Sequence, residues 1–347
     1  MPIQQGGAPS GEKRPVTSSD VARVAMVSQS TVSRAFNEAT KLSPETRSRV
    51  LEAARQLGYR PNAIARSLVS SRTDMIGLIV MRNGSPFYNE LVNLLVTACR
   101  RYGYCAMVIR QLEGESGVDT VTRALEYRVD GVVVTAIEDT KSACELCRQA
   151  SVPIVLLNRY IAGADVDSVC CDNERAGEMI VEFLAGKGHH SVACLMGDAS
   201  ASTTRDRLQG MVRRAEALQM SVAGVRYGDY TYESGFEMAC SLLEDGAALP
   251  GAIFCSGDII AFGAMDALRQ KFGLRIPEDV SVIGFDDTTE AAWKAYDLTT
   301  VRQPYEDLVE TTCRLLMRRM EDSRASIVRA LHPCVLVERS SVGERNG

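Results

Sequence analysis

The feature that most constrains this chain is an alternation of short apolar runs with longer amphipathic stretches, which begins at Met75. Short apolar runs bounded by turn residues are typical of buried parallel strands, and the stretches between them are long enough for helices. The alternation restarts after Asp172, so the sequence predicts two successive doubly wound α/β lobes. Ligands of such folds bind at the carboxyl ends of the strands, which predicts a binding cleft between the lobes.

The predicted elements of the lobes follow from this pattern. Strands are predicted at MIGLIV, YCAMVI, GVVVTA, PIVLL, SVACLM, GVRY, GAIFC and VSVIGF. Helices are predicted at 86–102, 118–128, 140–150, 174–187, 205–219, 231–245, 258–271 and 304–322. No apolar run approaches the roughly 18 residues that a membrane span needs, so the sequence predicts no membrane segment.

The first 72 residues differ from the rest of the chain in charge and in pattern. They contain 11 Lys and Arg against 5 Asp and Glu, a local charge of +6, which leaves 28 basic and 39 acidic residues, a charge of −11, in the remainder. Three helices are predicted in this basic segment, over VTSSDVARVA, SQSTVSRAFN and SPETRSRVLEAARQLGY. Thr17, Ser28 and Ser43 are the expected N-caps, Asp20 stands at a capping-box position, and Gly58 follows the third helix.

The first two of these helices are joined by a tight turn, which on a basic segment is the helix-turn-helix pattern. The second helix begins with a cluster of polar residues, Gln29, Ser30, Thr31, Ser33 and Arg34. Gln pairs bidentately with adenine and Arg with guanine in the major groove, so these residue types favour a DNA-reading role. The alternative that the pattern leaves open is a small helical bundle used for dimerisation.

The segment VTSSDVARVAMVSQSTVSRAFNEATKLSPETRSRVLEAARQLGYRPNAIARSL resembles the DNA-binding head of the LacI/GalR transcription factors, and TVSR, SPETR and GYRPN are specific in combination. The resemblance continues through SPFY, GHHSVACLMGD, RLQG, IPEDVSVIGFDD and LTTVRQP to about residue 340. It implies a homodimer that binds a near-palindromic operator in double-stranded DNA. It also implies a body similar to periplasmic sugar-binding proteins, with a small-molecule effector such as a sugar, a sugar acid or a related metabolite.

The expected fold class is therefore a helix-turn-helix head with a hinge helix, followed by two doubly wound α/β lobes of periplasmic-binding-protein type. The expected domains are a disordered arm at 1–14, the DNA-binding domain at 15–60, the hinge helix and linker at 61–73, the effector-binding domain at 74–340 and a tail at 341–347. Within the effector-binding domain, lobe 1 is expected at about 74–172 and 303–329, and lobe 2 at about 173–302 and 330–340.

The resemblance also implies roles in DNA binding for individual residues. It implies base contacts for Gln29, Ser30 and Arg34, and phosphate contacts for Thr17, Thr31, Ser33, Asn37 and Ser43. It places Asn62–Val69 on the hinge helix, which is too short to be stable alone in water, with Asn62 contacting DNA and Leu68 as an apolar wedge in the minor groove. Packing between the lobes is the alternative role for Leu68. The turn carries Met26 where Gly is usual, and a positive φ there would store about 1–2 kcal/mol of strain.

In the body, the resemblance implies effector contacts for Phe87, Tyr88, Asn158, Arg207, Tyr230, Asp258 and Asp286. An aromatic platform, a guanidinium fork and acidic acceptors suit the apolar face and the hydroxyl groups of a sugar. Helix capping is the alternative role for Asp258, and core packing is the alternative for Phe87 and Tyr88. Asn158 stands where many relatives have Asp, and Gly257 stands where they have Asn. The missing amide leaves space, which admits a larger, modified or acidic sugar or a nucleobase.

An enzyme is not expected, because the chain has no GxGxxG after a strand and no GxxxxGK[ST], GxSxG or HExxH motif. Cys144 and Cys147 form a lone CxxC without a second pair or a nearby His, so neither a metal nor a cofactor is expected. Eleven cysteines without a secretion signal favour a reducing, cytoplasmic location. We therefore expect a repressor. The alternatives are an activator or corepressed regulator of the same build, or a carbohydrate-binding or carbohydrate-modifying protein whose basic head only dimerises.

Overall fold

The computed structural model describes residues 14, 16–36, 40–60, 72–81, 85–112, 114–135, 137, 139–244 and 248–345. The chain divides into two compact units, Met1–Thr73 and Asp74–Gly347. Asn37 and the predicted hinge helix, with Asn62 and Leu68, lie outside the described residues. None of the described helices combines the length and the apolar character that crossing a membrane requires.

The first unit contains three helices, α1 Ser18–Ala25, α2 Gln29–Ala35 and α3 Pro44–Leu57. Their ends follow from local chemistry. Thr17 and Asp20 form a reciprocal capping box at the start of α1, and the Ser43 hydroxyl accepts a hydrogen bond from the Thr46 amide at the start of α3. Gly58 ends α3 at a φ of 67°, which glycine adopts without a steric penalty. The predicted caps are confirmed.

The three helices enclose a small apolar core. α1 and α3 pack against each other and against α2, and the buried side chains between them are Val21, Ala22, Ala25, Val32, Ala35, Val50, Ala53 and Ala54. Because five of these eight residues are alanines, the helices approach closely, and the polar side of α2 remains outside the core.

Strands and helices alternate along the second unit, as the sequence pattern predicts. The strands are β1 Met75–Val80, β2 Cys105–Arg110, β3 Gly131–Val134, β4 Ile154–Leu157, β5 Asp167–Cys171, β6 Ser191–Met196, β7 Ser221–Tyr227, β8 Ala252–Cys255, β9 Ser281–Ile283, β10 Thr300–Arg302, β11 Arg329–His332 and β12 Val335–Val337. The helices are α4 Pro86–Arg101, α5 Gly117–Glu126, α6 Thr140–Gln149, α7 Asn173–Gly186, α8 Ser202–Ala217, α9 Tyr232–Glu244, α10 Asp258–Gln270 and α11 Tyr305–Glu321. The sequence pattern does not indicate β10, β11 and β12, because each has only three or four residues and the last two are partly exposed.

The strands form two parallel sheets, one in each lobe. The first sheet has the order β11-β5-β4-β3-β1-β2 and the second has the order β7-β6-β8-β9. β10 and β12 form a separate antiparallel pair. Helices cover both sheets, and α11 packs on β3, β4 and β5. These are the doubly wound α/β lobes that the alternation of apolar and amphipathic segments predicts.

The chain passes between the lobes three times, from β5 to α7, from β10 to α11 and from β11 to β12. The first and third crossings are joined by a hydrogen bond of 2.8 Å from the Asp172 amide to the His332 carbonyl. Connections of this kind let the lobes change their angle without unfolding, and they leave the carboxyl ends of both sheets facing a common space.

Candidate functional site

The start of α2 presents a polar surface on the first unit. Gln29, Ser30, Ser33 and Arg34 are exposed, and Thr31 is half-buried. Gln29 Nε2 donates to Ser18 Oγ at 2.8 Å, and Arg34 Nη2 donates to Thr31 Oγ1 at 3.2 Å. The predicted base-reading side chains therefore lie together on one exposed surface, held only by short local hydrogen bonds.

Two of the predicted phosphate-contacting residues are the caps of α1 and α3. Thr17 Oγ1 donates to Asp20 Oδ2 at 2.7 Å, and Ser43 Oγ donates to Thr46 Oγ1 at 2.9 Å. The hydrogen bonds from the Thr17 amide and hydroxyl lower the pKa of Asp20 to about 2. Both caps are exposed and stand at helix N-termini, where amide groups and the helix dipole favour an anion.

The turn between α1 and α2 has the strained backbone that its sequence predicts. Met26 follows α1 with a φ of 52° and a ψ of 48°, in the left-handed region, and its side chain is 88% exposed. No burial of the methionine side chain offsets this conformation, which costs an L-residue about 1–2 kcal/mol.

A half-buried arginine that the sequence analysis missed ties α2 to α3. Arg47 Nη1 donates to the Ala35 carbonyl at 2.9 Å, and Arg47 Nη2 donates to the Thr40 carbonyl at 2.9 Å. The guanidinium thus satisfies a carbonyl at the end of α2, which fixes the angle of the polar surface. Its only signal in the sequence is its place on the inner side of α3.

A cavity lies between the two lobes of the second unit, at the carboxyl ends of their strands, with an empty volume of about 470 Å³ that includes its open mouth. The first lobe contributes Met81, Ser85, Phe87, Tyr88, Asn158 and Arg159. The second lobe contributes Asp198, Ala201, Thr203, Arg207, Tyr230, Ser256 and Asp286, and Gln303 lies on the crossing between β10 and α11. Of the seven predicted effector-binding residues, all but Asp258 therefore line one cavity.

Arg207 is the most firmly held polar side chain of this cavity. It is 3% exposed, and its guanidinium lies 3.3 Å from the centroid of the Phe285 ring. Nε and Nη2 donate to Asn173 Oδ1 at 3.2 and 2.7 Å, and Nη1 donates to the Ser256 carbonyl at 2.7 Å. This arrangement fixes the guanidinium before any ligand binds.

Asp286 lies on a strained backbone beside this guanidinium. Its φ is 121°, and its amide donates to the Val301 carbonyl at 2.8 Å. Gln303 Nε2 donates to Asp286 Oδ1 at 2.7 Å. Burial raises the pKa of Asp286 well above its usual range, and the nearby charge of Asp258 adds to this, against the influence of Arg207. Strained backbone persists only where the surrounding structure enforces it, and it is common at ligand-binding sites. The φ of Asp286 therefore supports a role for this residue in the cavity.

The aromatic wall of the cavity comes from the start of α4. Phe87 and Tyr88 are buried with ring centroids 4.8 Å apart, and the Phe87 ring also lies 5.4 Å from that of Tyr305. Burial raises the pKa of Tyr88 well above its usual range. Asn158 faces this wall at a φ of 57°, and its buried Oδ1 has no hydrogen-bond partner among the described residues. Both Phe87 and Tyr88 therefore serve the core and the cavity together.

Asp258 is the predicted effector-binding residue that the structure places elsewhere. It is 0% exposed, Oδ1 accepts from Thr300 Oγ1 at 2.6 Å and Oδ2 accepts from the Thr288 amide at 2.8 Å. It is also not the cap of α10, because the N-cap is Gly257. Burial raises the pKa of Asp258 to about 7, although the bonds from Thr300 and Thr288 lower it. Its carboxyl group ties α10 to the crossing strand β10.

The space expected at Gly257 is filled. A Cβ atom at Gly257 would lie 3.1 Å from Tyr230 Cδ1, and one at Gly197 would lie 2.0 Å from Tyr230 Cε2. The Tyr230 ring is therefore wedged between two glycines, and its hydroxyl lies 3.3 Å from Thr204 Oγ1. The expectation that loss of the Asn amide leaves an open space was wrong, because an aromatic ring from the loop after β7 occupies it.

Most of the wall residues that the sequence analysis missed directly follow strands. Arg159 comes two residues after β4, Asp198 two residues after β6 and Ser256 one residue after β8. Applying the strand-end argument to every predicted strand would have found them. Gln303 follows β10, which the alternation of strands and helices does not indicate, so the strand-end argument does not reach it, although it lies in the LTTVRQP motif of the resemblance.

Comparisons with known proteins bear on both units. A family model described as bacterial regulatory proteins, lacI family, matches residues 17–62, and a model of the periplasmic binding protein-like domain matches residues 181–342. The HTH-type transcriptional repressor PurR of Vibrio cholerae serotype O1 is 31% identical over 335 residues, which cover 94% of this chain and 98% of that protein. The chain belongs to the lacI family of bacterial regulatory proteins.

Further members of the lacI family are similar over nearly their whole length. PurR of Haemophilus influenzae is 32% identical over 308 residues, 88% of this chain and 91% of that protein. The lac repressor dimer bound to operator and the anti-inducer ONPF has a TM-score of 0.84 at 29% identity, over 95% of this chain and 100% of that one. The complex of the transcriptional regulator CelR with cellobiose has a TM-score of 0.71 at 31% identity, over 94% and 100%.

Membership in the lacI family confirms the predicted family and fold class. The family consists of transcriptional regulators and not of enzymes, and the chain is accordingly a DNA-binding regulator with a ligand-binding body.

Cys144 and Cys147 lie on α6, where burial raises the pKa of both thiols to about 12. In the described part of the chain, no three His, Cys, Asp or Glu side chains converge as metal ligands.

Proposed function

We propose that this regulator is a cytoplasmic repressor that binds a near-palindromic operator as a homodimer. Its affinity for the operator falls or rises when a small molecule binds in the interlobe cavity. The observation that carries the proposal is the cavity itself, because buried polar side chains from both lobes converge on it. A molecule that touches both lobes has a different binding free energy for each lobe angle, and only such a difference can change operator affinity.

The DNA-binding half of the proposal assigns a role to each exposed group of the first unit. Gln29, Ser30 and Arg34 read base edges in the major groove, since their side chains share one exposed surface. Thr31 and Ser33 contact phosphate from the same helix, and Thr17 and Ser43 contact it from the N-termini of α1 and α3. Asn37 adds a further phosphate contact.

The hinge segment supplies the coupling in this proposal. Asn62–Val69 forms a helix when it pairs with its twin on the operator, Asn62 contacts DNA, and Leu68 enters the minor groove and kinks the duplex. The lobe angle sets the distance between the two copies of this segment. A Leu68→Ser protein should therefore keep ligand binding but bend operator DNA less, which a circular-permutation gel assay measures.

The relatives support repression and dimerisation. The PurR relatives are named as transcriptional repressors, and the lac repressor structure is a dimer on its operator with an anti-inducer bound. The effector contacts proposed for this chain are Phe87, Tyr88, Asn158, Arg207, Tyr230 and Asp286, which line the cavity.

The experiment that tests the proposal is footprinting of the full-length protein on the DNA upstream of its own gene, followed by anisotropy titrations on the protected duplex and on a scrambled duplex. We expect one protected near-palindrome and an affinity for it that exceeds the affinity for scrambled DNA by about a thousandfold or more. Equal affinities for the two duplexes would contradict the proposal and favour a head that serves only in dimerisation.

A further inference from the structure

Two guanidinium groups, one from each lobe, line the interlobe cavity without a carboxylate partner. Arg159 follows β4 in the first lobe, and Arg207 lies on α8 in the second. Among the described residues, neither has a carboxylate oxygen within 4 Å, whereas most arginines of α7 and α8 on the protein surface are paired. Arg207 is 3% exposed and Arg159 is half-buried. A buried cation without a counter-ion is costly, so an unpaired guanidinium at a cavity wall points to an anion that is brought by the ligand.

The geometry of Arg207 leaves a fork open toward such an anion. Its hydrogen bonds to Asn173 and Ser256 use one N–H group on each of its three nitrogens. One N–H group on Nη1 and one on Nη2 then have no partner in the described part of the chain. Two N–H groups on the two terminal nitrogens are what a carboxylate or a phosphate accepts in parallel.

Arg159 is held in a similar way on the opposite side. Its Nη1 donates to the Ile137 carbonyl and, at 3.1 Å, to Thr140 Oγ1, which fixes the guanidinium against the start of α6. Nε and Nη2 have no partner among the residues that the structure describes. Because Arg159 directly follows Asn158, whose left-handed backbone turns the chain at the cavity, its position is set by the loop rather than by a counter-ion.

The carboxylates of the wall do not neutralise this pair. Asp198 is exposed, and its oxygens accept from the Ser200 amide at 2.8 Å and the Ser200 hydroxyl at 2.7 Å. Asp286 is held by Gln303, and its burial favours the neutral acid, which raises its pKa. Among the described residues, neither carboxylate lies within 4 Å of Arg159 or Arg207, so both guanidinium groups remain available to a ligand.

Two buried oxygen atoms add a second requirement. Asn158 Oδ1 and Gln303 Oε1 have no hydrogen-bond donor among the described residues. Unpartnered buried acceptors destabilise the folded protein, and donors from a ligand remove that cost. Hydroxyl groups on a carbon skeleton are donors of the right kind, and Tyr88 and Tyr230 supply aromatic surface to the same cavity.

We infer that the effector is a small organic anion, a hydroxylated carbon skeleton with a carboxylate or a phosphate ester that Arg207 and Arg159 bind together. The inference rests on the proposed function, because it names the ligand class of the same cavity. Since the two guanidinium groups belong to different lobes, an anion between them also draws the lobes together. Arg159 is then the residue that selects acids over the corresponding neutral sugars.

The test compares matched ligands on the full-length protein by calorimetric titration and thermal shift. D-galactose is paired with D-galacturonate, and D-glucose with D-glucuronate, D-gluconate and glucose 6-phosphate; pooled five- and six-carbon sugar acids and sugar phosphates extend the set. We expect acids to bind, with at least one about tenfold or more tighter than its neutral parent. Tighter binding of the phosphate esters identifies phosphate as the anion, and tighter binding of the uronates or aldonates identifies a carboxylate. Binding of neutral sugars alone, or no binding by any anion to the folded protein, overturns the inference.

Two variants separate a role in anion binding from a structural role. Arg159→Gln keeps hydrogen-bond donors but removes the charge, so we expect it to bind the preferred acid about tenfold or more weakly and to bind the neutral parent as the wild type does. Arg205→Gln, an exposed arginine two residues from Arg207 on α8, is the matched control and should bind both ligands as the wild type does. Equal losses for acid and neutral sugar in Arg159→Gln would contradict the inference.

Operator titrations keep this inference separate from the proposed function. If acids bind but operator affinity does not change, the proposed repressor mechanism fails and the ligand class stands. If a neutral ligand changes operator affinity and acids do not, the mechanism stands and the ligand class is wrong.

Discussion

The polar surface at the start of α2, which we call the reading surface because Gln29 and Arg34 are proposed to read bases there, and the wall of the interlobe cavity differ in how they hold their side chains. Gln29 and Arg34 are exposed, and they donate only to groups at the surface: Gln29 to Ser18, and Arg34 to Thr31 and the Ser30 carbonyl, among the described residues. Their loss therefore leaves nothing buried without a partner. Arg207 and Asp286 are buried, and each is bonded to residues far away in the sequence. At the surface, DNA binding and stability are separable; in the cavity, the proposed ligand contacts also hold the second lobe together.

The largest effect is expected for Arg207→Ala. The change leaves the Ser256 carbonyl without its donor and leaves Asn173 Oδ1 with only the Cys171 thiol, at 3.5 Å, among the described residues. An unpaired buried acceptor costs about 1–3 kcal/mol. We expect the free energy of unfolding to fall by about 2–4 kcal/mol and ligand binding to be lost. Urea unfolding and calorimetric titration measure the two losses.

The matched control for this variant is Arg205→Ala, whose exposed guanidinium donates, within the described part of the chain, only to the Ser200 carbonyl. We expect its unfolding free energy to remain within about 0.5 kcal/mol of the wild-type value. An Arg207→Ala protein that is as stable as the wild type, or that still binds ligand, would break the contrast between the cavity and the surface.

At the reading surface, Arg34→Ala should weaken operator binding by about 1–3 kcal/mol and leave most of the affinity for scrambled DNA. Its unfolding free energy should change by no more than about 0.5 kcal/mol, because the side chain is exposed. Anisotropy titrations on both duplexes measure the effect, with Arg55→Ala on α3 as the control for the loss of one exposed charge. Equal losses on operator and scrambled DNA would mean that Arg34 contacts phosphate and reads no base.

The pH dependence of stability sharpens the comparison, because Asp258 and Asp286 are buried in the second unit, whereas no described acid of the first unit is buried. The pKa of Asp258 in the folded protein is about 7, above its unfolded value of about 4. The folded protein therefore favours the protonated form of Asp258, and the stabilisation from this side chain is fully present below about pH 4. It is lost as the pH rises through 7, and each unit of difference between the folded and unfolded pKa values corresponds to about 1.4 kcal/mol of unfolding free energy. Asn resembles the neutral acid and can still accept from the Thr288 amide and donate to Thr300.

Asp258→Asn should therefore lose less stability than the wild type between pH 5 and pH 8, as measured by urea unfolding at each pH. Part of the slope should remain, since burial raises the pKa of Asp286 as well. Identical slopes in both proteins would show that Asp258 is charged throughout this range.

The smallest effect is expected for Met26→Gly in the turn of the first unit. Glycine removes a left-handed strain of about 1–2 kcal/mol but adds freedom to the unfolded chain, so the net gain should be about 0.5–1 kcal/mol. Hydrogen exchange of the amides of Val21 and Ala25 should slow by the corresponding factor, and amides of the second unit should exchange as before. Unchanged exchange in the first unit would mean that the turn stores no strain.

The sequence predicts what depends on neighbours in the chain. The capping box of Thr17 and Asp20, the Ser43 cap and the Gly58 end involve residues within four positions of each other, and all three were predicted. The wall residues at strand ends can also be predicted from the sequence, because the carboxyl end of each strand must face the cleft.

What depends on distant parts of the chain was not predictable. Asp258 points to Thr300 rather than to the cavity, and this choice depends on β10, which is too short to give a pattern. The filling of the space at Gly257 by Tyr230 likewise depends on how two loops from different strands meet. A single sequence predicts which side chains reach an edge of the sheet, but packing decides which of them face the ligand.

The central claim is that a ligand in the interlobe cavity sets operator affinity. Operator titrations with and without the ligand that calorimetry identifies, on wild type and on Asp286→Ala, test it most directly. The account predicts that the variant binds the operator nearly as the wild type does in the absence of ligand, and that its operator affinity no longer changes when ligand is added. An Asp286→Ala protein that binds ligand with wild-type affinity and still responds to it would contradict the account.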